Sequence, residues 1–299
     1  MSLFTLGARL AADARRLAAT VKISRGEAMR EIRRLACHSL HLTTAQLVVR
    51  ERESPGRFDL SAYGIVFDRR LRGEPLPYVL GEWPFRDHLF RVTPDVLIPR
   101  ADTEGVVNAA LGVIGEKSGT RILDLGTGSG CIAISIALAC PSAVVTAIDS
   151  SPEALAVARE NADRLGADTV GFVASDWYSA LSGQKFDLIV ANPPYVAEGD
   201  QHLDALRFEP QQALVSGADG LDALRWVIQG APAHLESDGT LVVEHGFDQR
   251  DFVRDLFASA GFSGVEVFDD LGGQPRGVVG RLNASAPAKA RRKRAAVSA

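Results

Sequence analysis

Apolar residues recur at helical spacing through the Ala-, Leu- and Arg-rich first 80 positions, predicting a small bundle of four or five helices. Ser24-Arg25-Gly26-Glu27 and Thr43-Thr44-Ala45-Gln46 set a hydroxyl three residues before Glu or Gln, the spacing that satisfies free amides at a helix start. Pro75, Pro77, Gly81 and Pro84 then interrupt the pattern, and Phe85–Ile98 alternates loosely around Thr93-Pro94-Asp95. A short hairpin is expected there, in a linker over residues 81–104. From about residue 105 the period changes. Arg121–Leu125, Val144–Asp149, Val170–Ser175, Phe186–Asn192 and Gly239–His245 are apolar runs separated by helical stretches, the pattern of a parallel sheet covered on both faces. Gly264–Asp270 and Gly277–Leu282 flank a short glycine-rich loop and read as an antiparallel pair at the end of that sheet. The expected fold is α/β: a seven-stranded, doubly wound, Rossmann-like sheet over residues 105–282, preceded by a helical domain over residues 1–80.

Charge changes the picture more than composition does. The net charge is −4, but residues 1–90 carry 15 Lys and Arg against 10 Asp and Glu, residues 91–280 carry 12 against 27, and residues 281–299 carry six against none. So acidic a sheet domain repels a phosphate backbone, whose binding depends on neutralisation by Lys and Arg. Direct nucleic-acid binding is therefore expected only through the basic tail, residues 283–299, whose Ala, Ser, Pro and basic residues cannot bury enough apolar surface to fold alone. No apolar run approaches the roughly 20 residues that span a bilayer. No export signal precedes the first helix. Cys37, Cys131 and Cys140 form no Cys-x-x-Cys pair and leave one thiol over in any disulfide scheme, which fits a reducing cytoplasm. The six His have no metal-ligand spacing, so no metal is expected.

Two segments carry chemistry. Asp124-Leu125-Gly126-Thr127-Gly128-Ser129-Gly130 follows the first strong strand and opens a helix, as a nucleotide-bearing cofactor requires. Glycines at alternate positions let the backbone turn sharply and approach a ligand without Cβ clashes. The dinucleotide fingerprint wants Gly or Ala at position 131, where this chain has Cys131, so a dinucleotide is the weaker reading. Asp149 ends the next strand, where a carboxylate can accept from both ribose hydroxyls or cap the helix beginning near Pro152. Asp176 and Trp177 end the third strand, where a carboxylate or amide can meet an adenine edge and an indole its face.

Asn192-Pro193-Pro194-Tyr195 follows the strand Phe186–Val190 and suits the holding of a planar amino group. The lone pair of an amide or aromatic amine is delocalised, so a site must orient and polarise it rather than deprotonate it. The Asn192 side-chain oxygen and the Pro193 carbonyl can each accept one N–H, leaving the remaining lobe aimed at a methyl donor. The prolines stiffen the backbone, and Tyr195 can lie over the planar group and its developing charge. With the glycine turn upstream, the pair reads as methyl transfer from S-adenosylmethionine to an sp2 nitrogen, leaving S-adenosylhomocysteine. Alignment and electrostatics are expected to carry catalysis, without a catalytic His. Glu198, Asp200, His202, Phe208-Glu209-Pro210 and Glu244-His245 fall on loops or strand ends near the same edge and are candidates for shaping the acceptor pocket.

The chain resembles the HemK-type release factor glutamine methyltransferases. The likeness is carried by Pro77–Gly81, Phe85–Phe90, Val96–Arg100 with Thr103-Glu104, Asp124–Ile134, Ser175–Trp177, Asn192–Val196 and Arg207–Pro210, together spanning roughly residues 75–280. The Asn-Pro-Pro-Tyr block is shared with adenine and guanine amino methyltransferases; the Ile-Pro-Arg and Phe-Glu-Pro blocks are more specific. The resemblance implies the S-adenosylmethionine-dependent methyltransferase form of the fold. Its acceptor would be the side-chain amide nitrogen of the glutamine in the Gly-Gly-Gln loop of class I peptide chain release factors. It further implies that Gly126–Gly130, Asp149, Trp177 and Asn192 contact the cofactor, that Asn192–Tyr195 hold the glutamine, and that the helical region docks the release factor. Ala101 departs from the proline usual in that family after Ile-Pro-Arg. An RNA or DNA amino-group methyltransferase using the same clamp is the alternative. The chain's own Gly272-Gly273-Gln274 reads as a turn between the last two strands, not as a substrate loop.

Overall fold

The computed structural model describes residues 5–270 and 272–283; the basic-tail expectation, apart from Asn283, lies outside the described residues. The chain divides into two compact units between Trp83 and Pro84. Among the described residues the first holds five α-helices: α1 (Leu6–Val21), α2 (Arg25–Leu40), α3 (Thr44–Arg50), α4 (Ser61–Leu71) and α5 (Leu76–Leu80). Thr43 and Gln46 close a full capping box, whereas Ser24 supplies the hydroxyl half, accepting from the Glu27 amide at 3.1 Å. Leu6, Leu10 and Leu17 of α1 meet Ile32 and Leu35 of α2, Leu47 of α3 and Tyr63 and Phe67 of α4 in one buried cluster. Two polar pairs cross this core: Tyr63 donates to Asp13 at 3.0 Å, and Arg70 pairs with Glu31 at 2.7 Å.

The predicted hairpin lies earlier than expected. Strands β1 (Glu82–Phe85) and β2 (His88–Arg91) pair around Arg86 and Asp87, with Arg86 at φ +50°. Phe85 and Phe90 on the two strands pack edge to face, ring centres 6.0 Å apart, a contact that supports the pairing. Thr93-Pro94-Asp95 instead forms an isolated turn, closed by Val96 N–H on the Thr93 carbonyl at 3.1 Å.

The second unit is built on a seven-stranded sheet of order β5-β4-β3-β6-β7-β9-β8. Its strands are β3 (Arg121–Leu125), β4 (Val144–Asp149), β5 (Val170–Ala174), β6 (Phe186–Ala191), β7 (Leu235–Glu244), β8 (Phe262–Asp269) and β9 (Pro275–Leu282). Strands β3 to β7 run parallel, and β9 is antiparallel to both β7 and β8. Successive residues of the apolar runs serve opposite faces. Ile122, Leu188, Val190 and Val242 pack under α6 (Glu104–Ile114), α7 (Cys131–Ala139) and α8 (Pro152–Leu165). Leu123, Ile189, Ala191, Leu241 and Val243 pack under α9 (Asp222–Gly230) and α10 (Arg250–Ser259).

Strand β7 begins four residues before the expected Gly239, because Leu235 pairs with Phe186 before a register shift to Thr240 opposite Leu188. The polar segment Glu236–Asp238, with Asp238 at φ +64°, disguised that start. Gly272–Gln274 does close the β8–β9 turn. The Asp270 carboxylate accepts from the Gly272 and Gln274 amides at 2.8 and 2.9 Å, and Gly273 takes φ +76°. Strand order places a switch point between β3 and β6: the chain runs outward through β4 and β5, then returns to the other side of β3. In such sheets the crevice beyond the carboxyl ends of the strands at that point is where ligands bind.

Candidate active site

A cleft of about 240 Å3 opens at that switch point. The glycine turn forms its floor. Gly126 and Thr127 donate to the Ile148 carbonyl of β4 at 3.0 and 2.8 Å, which folds the segment over the strand ends. Gly126, Gly128 and Gly130 take φ of +73°, +54° and +82°. At the first two an added Cβ would stand in open space, whereas at Gly130 it would come within 2.8 Å of Ile134 and 3.2 Å of Ala158. Gly130 is thus a packing glycine, while Gly126 and Gly128 keep backbone exposed toward the cleft.

Three polar side chains hold the turn. Asp149 accepts from Gly128 N–H at 2.9 Å and from Ser151 N–H at 2.9 Å; Ser151 caps α8, leaving Asp149 to brace the turn. The Thr127 hydroxyl donates to Asp124 at 2.7 Å. Asp124 is fully buried, its second oxygen has no partner, and burial raises its carboxyl to about 7. Asn161, reaching from α8, donates to the carbonyls of Ser129 and Arg91 at 2.9 and 3.0 Å and accepts from Arg91 N–H at 2.7 Å. Sequence reasoning missed Asn161, since nothing local distinguishes a helical Asn whose partners lie 32 and 70 residues away.

Asp176 and Trp177 line the cleft beyond β5. Ser175 shapes their loop: its hydroxyl donates to the Trp177 carbonyl at 2.7 Å and accepts from Ala180 N–H at 3.1 Å. Trp177 is thereby held at φ +47°, a conformation costing on the order of 1 kcal/mol for a bulky residue and kept where surroundings enforce it.

Across the cleft, Asn192 and Pro194 share its wall with Gly126–Ser129, Asp149, Asp176 and Trp177. Gly130, Pro193 and Tyr195 do not line it. Pro193 is buried, and Tyr195 turns its hydroxyl to Glu244 at 3.1 Å. The Asn192 amide is oriented: Nδ2 donates to the Thr103 hydroxyl at 3.1 Å, leaving Oδ1 for another donor. The Tyr195 carbonyl accepts from Gln249 at 2.9 Å. A Cβ on Gly220 would approach that carbonyl to 2.5 Å, so residue 220 must be glycine for this loop to pack.

The Ile-Pro-Arg and Phe-Glu-Pro blocks meet here. Glu209, 6% exposed, accepts from Ile98 N–H at 3.1 Å and pairs with the Arg100 guanidinium. Pro99, Arg100, Thr103 and Pro210 form further walls of the cleft. Ala101 sits exposed at the start of a single 3-10 turn before α6. Behind the clamp, Glu244 is buried with Oε2 unpartnered, and burial raises its carboxyl to about 7. His245 is also buried; its Nδ1 donates to the Gly246 carbonyl at 2.7 Å, and burial lowers its pKa. Arg276 bridges Asp102 and Asp270 at 3.3 and 3.0 Å. Glu198 is exposed, and Asp200 and His202 pair with each other at 2.7 Å on the surface. Among the described residues no cluster of His, Cys, Asp and Glu could hold a metal ion, and no helix is long and apolar enough to cross a membrane.

Known proteins match both units. Residues 13–81 fit the model of the PrmC N-terminal domain and residues 108–218 that of the methyltransferase small domain. A release factor glutamine methyltransferase of Bordetella pertussis is 47% identical over 249 residues, covering 82% of this chain and 92% of the relative. One from Burkholderia pseudomallei is 43% identical, covering 84% and 91%. Among solved structures, the hMettl16 catalytic domain aligns with a TM-score of 0.53 at 14% identity, covering 66% of this chain and 76% of that one, a likeness of fold alone.

Proposed function

Because the chain belongs to the release factor glutamine methyltransferases, we propose that it methylates the side-chain amide nitrogen of the glutamine in the Gly-Gly-Gln loop of class I peptide chain release factors. The observation that carries this reading is the shared cleft: an amide oriented to accept, Asn192, stands in one wall with the glycine turn and Asp149.

The donor would be S-adenosylmethionine, and the cleft suits it. Gly126 and Gly128 leave Cβ-sized space open toward the ligand, Asp149 ends β4 where ribose hydroxyls can donate to its carboxylate, and Trp177 offers an aromatic face. When bound, the cofactor supplies an electrophilic methyl group. The protein's part is alignment. Asn192 Oδ1, which does line the cleft, accepts one N–H of the glutamine amide and so orients its plane with the nitrogen lobe toward the donor. That acceptor also favours the positive charge that develops on nitrogen, and the proton then leaves to solvent. Asp149 and the turn it braces hold the donor in the cleft. The helical unit would dock the release factor, and the cytoplasm, where translation termination takes place, is the compartment this activity requires.

The nucleic-acid alternative shares the clamp but needs a basic track along a backbone. With labelled S-adenosylmethionine, label is expected on a class I release factor, with little sensitivity between 50 and 200 mM salt, and none on naked RNA or DNA. Binding through six or more phosphates would instead fall about a thousandfold or more over that range. Label on nucleic acid alone would move the acceptor to a base.

A further inference from the structure

We propose that Glu244, acting through Thr103 and Tyr195, is the positioning residue that decides which atom of the Asn192 amide faces the substrate. This rests on the amide-methylation reading above. A primary amide offers two N–H donors, so Asn192 must present its oxygen; turned over, it would set donor against donor. Only the partners of an Asn decide between those orientations.

Nδ2 of Asn192 lies 3.1 Å from the Thr103 hydroxyl oxygen. That hydroxyl can accept there only if its own proton is aimed elsewhere. Glu244 is the acceptor at hand. Its carboxyl is 1% exposed, Tyr195 already donates to Oε1 at 3.1 Å, and Oε2 retains free lone pairs. Thr103 is near enough to favour the carboxyl's ionised form, although no hydrogen bond to Oε2 is closed; such contacts commonly tighten when substrate binds.

An ionised carboxylate only accepts. Both hydroxyls must then donate to it, the Thr103 lone pairs turn to Asn192 Nδ2, and Oδ1 faces the acceptor site. A protonated Glu244 has a donor of its own. It can donate to Thr103, whose proton is then free to seek Asn192 Oδ1, and the amide inverts. Once the Thr103–Glu244 contact closes, the clamp carries a directional chain from β7 through the segment before α6 to the loop after β6, and that direction depends on one proton.

The groups facing Glu244 come from several elements. Burial raises its carboxyl to about 7, Thr103, Tyr195 and Arg276 of β9 pull it back, and Asp102 pushes it up. Cys131 of α7, raised by burial to about 12, remains a neutral thiol. His245, the next residue, has its pKa lowered by burial and commits Nδ1 to Gly246. The ionised, working form of Glu244 is lost as pH falls below about 7, so the rate should fall with it.

At saturating S-adenosylmethionine and release factor, the wild-type log rate is expected to rise with unit slope up to a bend near pH 7 and then level off. Glu244→Gln keeps the volume but brings a permanent donor. It should lower kcat about ten- to thirtyfold, in the range for groups supporting a reacting residue, leave cofactor affinity unchanged, and lose the bend. Thr103→Val should lower kcat similarly, and Thr103→Ser should restore it. A Glu244→Gln enzyme with wild-type kcat, or one that is slow yet keeps the bend, overturns the proposal. Absence of wild-type transfer to the release factor would instead overturn the glutamine reading, and the proposal with it.

Discussion

Asn192→Ala is expected to lower kcat by about a hundred- to a thousandfold, the usual cost of removing one preorganised polar contact to a reacting group. Affinity for S-adenosylmethionine should stay within about tenfold of wild type, the worth of one hydrogen bond. The asymmetry follows from what Asn192 does. Its oxygen is spare because Thr103 holds its nitrogen, and that spare acceptor is useful only to a substrate N–H. Alanine leaves the planar amide of the glutamine free to turn about the adjoining Cγ–Cδ bond, so the nitrogen lobe loses its aim. It also removes an acceptor that opposes the charge forming on nitrogen. Isothermal titration of the cofactor beside single-turnover transfer separates the two effects. Wild-type turnover in this variant would remove the polarisation argument altogether.

Asp149→Ala should act on the other half of the site. A carboxylate accepting from two ribose hydroxyls contributes about 1.5–3 kcal/mol per bond, so cofactor affinity is expected to fall about a hundredfold or more. Part of that loss would come through the protein. Asp149 is the partner of Gly128 N–H, and its removal leaves the glycine turn unbraced at φ values that only glycine adopts readily. At saturating cofactor kcat should recover most of its value, because Asp149 touches no reacting atom. Unchanged affinity would remove the ribose role and leave Asp149 a structural brace.

Much of the sheet was legible because parallel strands buried on both faces leave continuous apolar runs, and β3, β4 and β6 follow those runs to within a residue. The glycine turn and Asn-Pro-Pro-Tyr were legible for the same reason: each is one contiguous segment at a strand end. What the sequence hides is partnership at a distance. Thr103 and Asn192 are 89 residues apart, Glu209 and Ile98 are 111 apart, and Tyr195 and Glu244 are 49 apart. Only the strand order brings them together. Glu244 and Glu209 stand out in the sequence only as acids near the acceptor edge, and it is burial that gives them their partners. The hairpin was misplaced because Thr-Pro-Asp is a strong turn signal, while the strands in fact pair around Arg86 and Asp87, with Phe85 and Phe90 in contact across them.

In this reading the methyl group lands on one amide nitrogen. Fragmentation mass spectrometry of a class I release factor, after incubation with this enzyme and S-adenosylmethionine, tests it most directly. One added methyl on the side chain of the Gly-Gly-Gln glutamine, absent when the enzyme carries Asn192→Ala, is the predicted result. A methyl on any other residue, or on the loop glutamine with Asn192→Ala at an undiminished rate, would contradict the account.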